Sequence, residues 1–231
     1  MDLPDSPIDA VLLDAGGVLL LPDPAAVRKG LAPFGVEPDD ETCARAHYES
    51  MGEVDRLGAA DWPKVNRVYA RAAGVAEDDI DTVFGVIEDL YLRQPWTPVP
   101  GAAEALLALQ AAGVALAVVS NAQGTMERLL AEHRICTVDG DEVARVAVVV
   151  DSQVVGIEKP DPRIFALALA ALDVEAGRSL YVGDTVHFDV EGARAAGMAC
   201  VHVDPCGRCP GTDHPHVASV AELPGALAAR G

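Results

Sequence analysis

The sequence predicts an α/β protein: a doubly wound parallel sheet carrying a separate, wholly helical insert. Two observations predict it. From about Pro98 onward, short apolar runs alternate with amphipathic helical patterns, the mark of βαβ units whose right-handed crossovers cover a parallel sheet on both faces. Between the first strand and that alternation lies a block, about Pro22 to Gln94, with helical spacing and no strand pattern. The expected division is a core of 1–21 with 96–231 and a helical insert of 22–95.

The first strand is the apolar run from Ile8, which stops at Asp14 and is followed by Gly16 and Gly17. A carboxylate then sits at the carboxyl end of a buried strand, where open α/β sheets form their ligand crevice. In the insert, Pro24 to Phe34, Asp40 to Gly52, Asp61 to Ala73 and Asp78 to Leu92 carry apolar residues at helical intervals, punctuated by Pro, Gly and Asp. Pro98-Val99-Pro100-Gly101 marks the return to the core. There, helices are expected over Ala102 to Ala112, Gln123 to Glu132, Pro162 to Leu172, Asp189 to Ala196 and Val220 to Ala229. Strands are expected over Val114 to Val119, Val146 to Val150, Ser179 to Val182 and, last, Ala199 to Val203.

Composition narrows the functional classes. The 231 residues suffice for one large domain or a core plus an insert, and half of them are hydrophobic. A formal net charge of -19 argues against nucleic acid and anionic membrane surfaces, both of which need a basic patch. An anionic substrate would need the few cations concentrated in its pocket, and the only lysines are Lys29, Lys64 and Lys159. The stretch Met1 to Asp5 is acidic and broken by proline, so no signal peptide is expected there, and no apolar run approaches the ~18 residues of a membrane helix. Five cysteines, an odd number, fit a reducing, cytoplasmic setting, with Cys43, Cys136 and Cys200 expected as small core residues. Oligomeric state is not legible.

Four residues follow or trail expected strands: Asp14, Ser120, Lys159 and Asp184. In a parallel sheet all carboxyl ends lie on one side, so these side chains are expected to converge. A carboxylate can act as a nucleophile, a hydroxyl with the amides after it can hold a phosphoryl oxygen, and a lysine can balance both charges. Asp184 and Asp189 add hard oxygen donors suited to Mg²⁺. Each alone has a plain alternative: Ser-Asn often starts a helix, Asp after Gly often makes a turn, and Lys159 before Pro160 fits a solvated lysine.

Asp14-Ala15-Gly16-Gly17-Val18-Leu19 resembles the first motif of the haloacid dehalogenase-like hydrolases, in which the leading Asp is the nucleophile. Val118-Val119-Ser120-Asn121 resembles the second, phosphate-binding motif, and Glu158-Lys159-Pro160 through Phe165 the third, which supplies a lysine. Tyr181-Val182-Gly183-Asp184-Thr185 with Asp189 resembles the acidic fourth motif. The resemblance implies a Rossmann-like core, a helical cap after the first motif, and phosphate ester hydrolysis through an aspartyl-phosphate. It implies Asp14 and Lys159 as catalytic groups, Ser120, Asn121 and Lys159 as substrate contacts, and Mg²⁺ on Asp14, the Gly16 carbonyl, Asp184 and Asp189. The expected partner is a small phosphorylated or anionic molecule.

The sequence departs from the family's phosphatases at Gly16, where they carry a second Asp that serves as acid and base. Activity is therefore expected to be weak or atypical, and good leaving groups favoured. Other branches lack that Asp too. Dehalogenases of 2-haloacids do without the acidic pair that Asp184 and Asp189 form here. Phosphonoacetaldehyde hydrolases use a cap lysine, for which Lys29 or Lys64 would stand, each also readable as a solvated lysine. A degenerate, non-catalytic phospholigand binder is the non-enzyme alternative. His187 is a candidate acid/base, although a surface or capping role is expected, and His47, Glu49 and Glu53 are candidates in the cap. Cys206-Gly207-Arg208-Cys209, followed by His214 and His216, has zinc-ligand residue types, but the second spacing is tight and the segment is rich in Pro and Gly. A surface loop is the expectation there.

Overall fold

Ala10–Leu13 (β1) is buried along its whole length, as a strand covered on both faces must be. Five further strands join it in the computed structural model, which describes residues 7–93 and 95–229. They are Ala115–Ser120 (β2), Val149–Asp151 (β3), Ser179–Gly183 (β4), Ala199–Val203 (β5) and His216–Val217 (β6). Their order is β6-β5-β4-β1-β2-β3, with every neighbouring pair parallel. Leu13 is in register with Val118 and Val182, and Ser120 with Asp151. That register brings Asp14, Ser120, Asp151 and Asp184 to one edge of the sheet.

One face packs Ala10, Leu12, Ala117, Val119 and Tyr181 against Ile164, Phe165 and Ala168 of the helix Pro162–Leu172. The alternate residues Val11, Leu13, Leu116 and Val118 are buried as well, so both faces are covered. The expected α/β, doubly wound parallel core is thus present. Its compact unit is formed by the described residues of Met1–Leu19 and Pro98–Gly231.

A second compact unit spans Leu20–Thr97. Its helices Pro24–Leu31, Asp40–Leu57 and Trp62–Ala72 start behind Asp23, Asp39 and Asp61, each of whose carboxylates accepts a hydrogen bond from a backbone N–H in the first turn. With Phe84–Leu92 they bury Val27, Leu31, Ala46, Tyr69, Ile80 and Ile87 in a core of their own.

The structure departs from the sequence reading at short elements. Leu20–Pro22 pairs with Trp96–Pro98, a ladder whose halves lie too far apart in the chain for any local pattern to announce. Ala199–Val203 is not the last strand: His216–Val217 extends the sheet beyond it, and two residues carry no periodicity. The expected strand Val146 to Val150 begins at Val149; the expected helix Gln123 to Glu132 begins at Met126, the loop before it being held by Asp151, which accepts from Gly124 N–H and from Met126 N–H. Cys43, Cys136 and Cys200 are buried, and no cysteine is in a disulfide. Among the described residues no helix is long and apolar enough to cross a membrane. The stretch Met1 to Asp5 and Gln94, at the edge of the expected insert, lie outside the described residues.

Candidate active site

Asp14 emerges from β1 with its N–H donated to Val182 O at 2.8 Å and its Oδ1 accepting from Ala15 N–H at 2.7 Å. The first contact fixes the Asp14 main chain and the second its carboxylate. Lys159 meets it from the loop that precedes Pro162–Leu172. The Nζ lies 2.9 Å from Asp14 Oδ2, 2.8 Å from Asp189 Oδ1 and 3.0 Å from Tyr181 Oη. An ammonium has three donors, and all three are used. Tyr181 passes its own proton to Val119 O at 2.9 Å, and burial keeps that phenol protonated. Lys159 is 2% exposed, so it is a buried, paired cation and not a solvated surface lysine.

Asp189 is fully buried. Its Oδ2 accepts from Thr185 N–H at 3.0 Å and from Thr185 Oγ1 at 2.6 Å. The backbone from Val186 to Val190 forms a wide π turn, and the helix expected over Asp189 to Ala196 follows it as Glu191–Ala195; such turns are frequent at functional sites. Two glycines are dictated by the carboxylates. A Cβ on Gly17, whose φ is +69°, would lie 2.0 Å from Asp184 Oδ2, and one on Gly183 would lie 2.2 Å from Asp189 Cγ. Gly16 differs: a Cβ there meets nothing within 4 Å.

Burial, the largest influence on Asp14, pushes its carboxyl up to about 7; Lys159 opposes this, while Asp189 and Asp184 add to it. Burial also works against the Lys159 charge, but Asp14 and Asp189 together outweigh it, and the ammonium is held above the ordinary lysine range. Asp14, Asp184 and Asp189 each offer a carboxylate oxygen, and these atoms lie within 4.8 Å of one another. Three carboxylates facing one ammonium leave an excess of two negative charges when all are ionised. A hard divalent cation matches both that charge and that all-oxygen donor set.

Ser120 is buried at the end of β2. The amide of Asn121 is turned to the Lys159 backbone: its Nδ2 donates to Lys159 O at 3.1 Å and its Oδ1 accepts from Lys159 N–H at 2.8 Å. Sequence reasoning passed over Asp151, which ends β3 and accepts from the N–H groups of Gly124, Met126 and Gln153. It organises the loop after Ser120. Its signal, a carboxylate closing an apolar run, is the one that singled out Asp14. His187 lies 3.2 Å from Glu191 Oε2, one helical turn along. In the helical unit, Lys29 is exposed and Lys64 is exposed and paired with Asp61 at 2.7 Å. His47 is buried there with Nδ1 3.0 Å from Tyr91 Oη, while Glu53 pairs with Arg56 and Glu49 lies 3.7 Å from Arg45. Of the suspected zinc ligands, Cys209, His214 and His216 come together, joined by His202 and without Cys206.

The model of the haloacid dehalogenase-like hydrolases matches residues 8–197, and the chain belongs to that family. Phosphoserine phosphatase of Thermus thermophilus is 32% identical over 166 residues, which are 69% of this chain and 61% of that protein. The chain thus spans less than two thirds of the length of that relative. Haloacid dehalogenase-like hydrolase domain-containing protein 3 of Xenopus laevis is 32% identical over 78% of this chain and 74% of its own length. The crystal structure of a HAD phosphatase from Thermococcus onnurineus superposes with a TM-score of 0.56, covering 95% of this chain and 98% of its own at 22% identity. That likeness concerns the fold.

Proposed function

We propose that the chain hydrolyses small phosphorylated metabolites through Asp14, and that it does so with an incomplete acid/base apparatus. The observation that carries the reading is the buried Lys159 ammonium shared between Asp14 and Asp189. It opposes the effect of burial on the Asp14 carboxyl and brings a positive charge to where a phosphoryl group would lie. An oxygen of Asp14 attacks phosphorus. The bond from phosphorus to the leaving oxygen breaks, and that oxygen takes the electron pair and then a proton from solvent. Water next attacks the same phosphorus and gives up a proton, releasing phosphate and restoring the Asp14 carboxylate. Ser120 and the amides after it bind the phosphoryl oxygens; Asn121 holds the Lys159 segment in place. Mg²⁺, held by Asp14, the Gly16 carbonyl, Asp184 and Asp189, would neutralise charge on the transferring group. The helical unit is proposed as the cap that selects the leaving group. The odd number of cysteines, with Cys43, Cys136 and Cys200 buried as small core residues, supports a reducing, cytoplasmic setting.

A panel of acyl, aryl and alkyl phosphates, assayed with and without Mg²⁺, tests the reading. Turnover is expected for the acyl and aryl esters with Mg²⁺, and an acid-quenched phosphoenzyme that hydroxylamine cleaves. Asp14→Asn should abolish both. Phosphate release that survives in Asp14→Asn would remove the nucleophile from the scheme.

A pH dependence follows from the raised Asp14 carboxyl. Between the ordinary value of 3.8 and about 7, the folded protein keeps a proton that the unfolded chain has lost. Stability contributed by this group therefore declines as pH rises through that window. In chelator, Tm is expected to fall between about pH 5 and about pH 7.5. Added Mg²⁺ should raise Tm by several degrees at the upper pH and by little at the lower, where protons compete for the same carboxylates. Scanning fluorimetry reads both, and equal Mg²⁺ shifts at the two pH values would contradict the assignment.

A further inference from the structure

We propose that His202, Cys209, His214 and His216 form a zinc site of their own, apart from the acidic cluster. The two cross-strand histidines come from the sheet: His202 on β5 and His216 on β6 are partners in register. Cys209 and His214 come from the connection between those strands. Each of the four residues offers one ligand atom, and all four atoms fall within 4.8 Å of one another.

The hydrogen bonds around the cluster fix which atoms face inward. His202 Nε2 lies 3.1 Å from the backbone carbonyl of Asp184, which accepts only, so that nitrogen carries the proton. His214 Nδ1 lies 2.8 Å from Asp213 Oδ1, and Arg194 holds the other oxygen of that carboxylate at 2.8 Å. Its proton is thereby assigned to Nδ1. In the neutral rings, His202 Nδ1 and His214 Nε2 are then both lone-pair acceptors, yet they lie only 3.4 Å apart. Two acceptors so close repel unless a cation lies between them. Cys209 Sγ lies 3.5 Å from His214 Nε2. The buried Nε2 of His216 has no hydrogen-bond partner. Its ring centroid is 4.6 Å from that of His214 and 5.2 Å from that of His202.

The spacing of the donor atoms fits zinc. Zn–N bonds of about 2.0–2.1 Å and a Zn–S bond of about 2.3 Å, at the tetrahedral angle, give ligand edges of about 3.3–3.4 Å for N···N and about 3.6 Å for N···S. The observed separations of 3.4 Å for His202 Nδ1 to His214 Nε2 and 3.5 Å for Cys209 Sγ to His214 Nε2 match such edges. Imidazole and thiolate donors suit zinc and not Mg²⁺. A carboxylate behind a ligating histidine, as Asp213 stands behind His214, is the usual orienting partner in such sites. The loop is shaped to the cluster as well: Asp204 accepts the N–H groups of Arg208 and Cys209, and a Cβ on Gly211 would lie 2.6 Å from His214 Cε1. Four protein ligands close the coordination sphere, which makes the site structural. It ties the 204–215 connection to the sheet edge and, through His202, steadies the Asp184 backbone.

Metal content and a cobalt spectrum test this without any assay of turnover, so failure here and failure of the phosphatase reading are separate results. The untagged protein, desalted after purification, is expected to hold about one zinc per chain. Stripped protein reloaded with Co²⁺ should show intense tetrahedral bands and a thiolate-to-cobalt charge-transfer band. Cys209→Ser should remove the charge-transfer band, and His202→Gln and His214→Gln should each weaken zinc binding at least about tenfold. Cys206→Ser should leave metal content and spectrum unchanged. A wild-type protein that is folded by circular dichroism but holds neither zinc nor a tetrahedral cobalt spectrum would overturn the proposal, even if every variant failed to fold. A loss on Cys206→Ser equal to that on Cys209→Ser would also overturn it, in favour of a Cys-x-x-Cys site.

Discussion

Replacement of Lys159 by methionine is expected to lower kcat/KM by about 10²–10³-fold, the usual cost of losing one preorganised charge at a developing anion. It should also destabilise the fold, and more so as pH rises. Methionine keeps most of the side chain's volume, so packing against the Tyr181 ring changes little. The electrostatics change greatly. Asp189 loses the partner of its Oδ1, and Asp14 loses the cation 2.9 Å from its Oδ2, with Asp184 still close. Breaking a buried ion pair from one side typically costs about 3–5 kcal/mol. That full cost applies only while the stranded carboxylates remain ionised. Asp14 already titrates near about 7 with Lys159 in place, and without it the carboxyl moves higher. At about pH 5 the group is protonated in both proteins and adds little to the difference; above about 7 the variant keeps a proton that the wild type sheds, so the difference grows as pH rises. Chemical denaturation of both proteins at about pH 5 and about pH 8 should therefore give a destabilisation that is larger by about 1–1.5 kcal/mol at the higher pH. Mg²⁺ should recover part of the loss at the higher pH. A penalty independent of pH would mean that Lys159 matters for packing and not for charge.

The core was legible because its signals are local. The run Ile8 to Leu13 is apolar without alternation and ends in a carboxylate and two glycines, and Pro162–Leu172 starts behind Asp161 and Pro162 and was read to its last residue. Lys159 stood out because the chain has so few lysines. What sequence could not supply was the second partner of each contact. Nothing near Asp189 in the chain marks it as the other acceptor of the Lys159 ammonium, thirty residues away. Nothing near Asp151 marks it as the group that holds the amides of Gly124 and Met126. The His and Cys cluster shows the same limit. Cys206 and Cys209 share a familiar spacing, yet the fold uses one of them and takes its fourth member, His202, from a strand. His202 and His216 become neighbours through a two-residue strand too short to predict. Motif spacing reports donors that are close in sequence, whereas sheet register decides which donors are close in space.

Restoring a carboxyl at Gly16 is expected to raise kcat on alkyl phosphates by about 10²-fold and to change acyl and aryl phosphates by only a few-fold. General acid catalysis contributes about 10²–10⁴ where the leaving oxygen is a poor one, and little where it departs readily as an anion. The position can accept the side chain. A Cβ on Gly16 meets nothing within 4 Å, and its φ is not among the positive ones, so aspartate brings neither a clash nor left-handed strain. Gly17, one residue on, is the counterexample: its φ is +69°, its Cβ would strike Asp184, and Gly17→Ala should cripple the acidic cluster. The new carboxyl would join a site already rich in negative charge. Like charge raises its pKa, which favours the protonated form a general acid needs. Gly16→Asn separates the two ways in which a larger side chain could act. It matches aspartate in size but has no acidic proton, so the gain on alkyl esters should be absent. A series of aryl phosphates of graded leaving-group pKa, run on the wild type and both variants, should show a steep dependence on leaving group for the wild type and Gly16→Asn. For Gly16→Asp the dependence should be shallow. Parallel slopes for all three would place the missing proton donor elsewhere, and His187 beside Glu191 would become the residue to replace next.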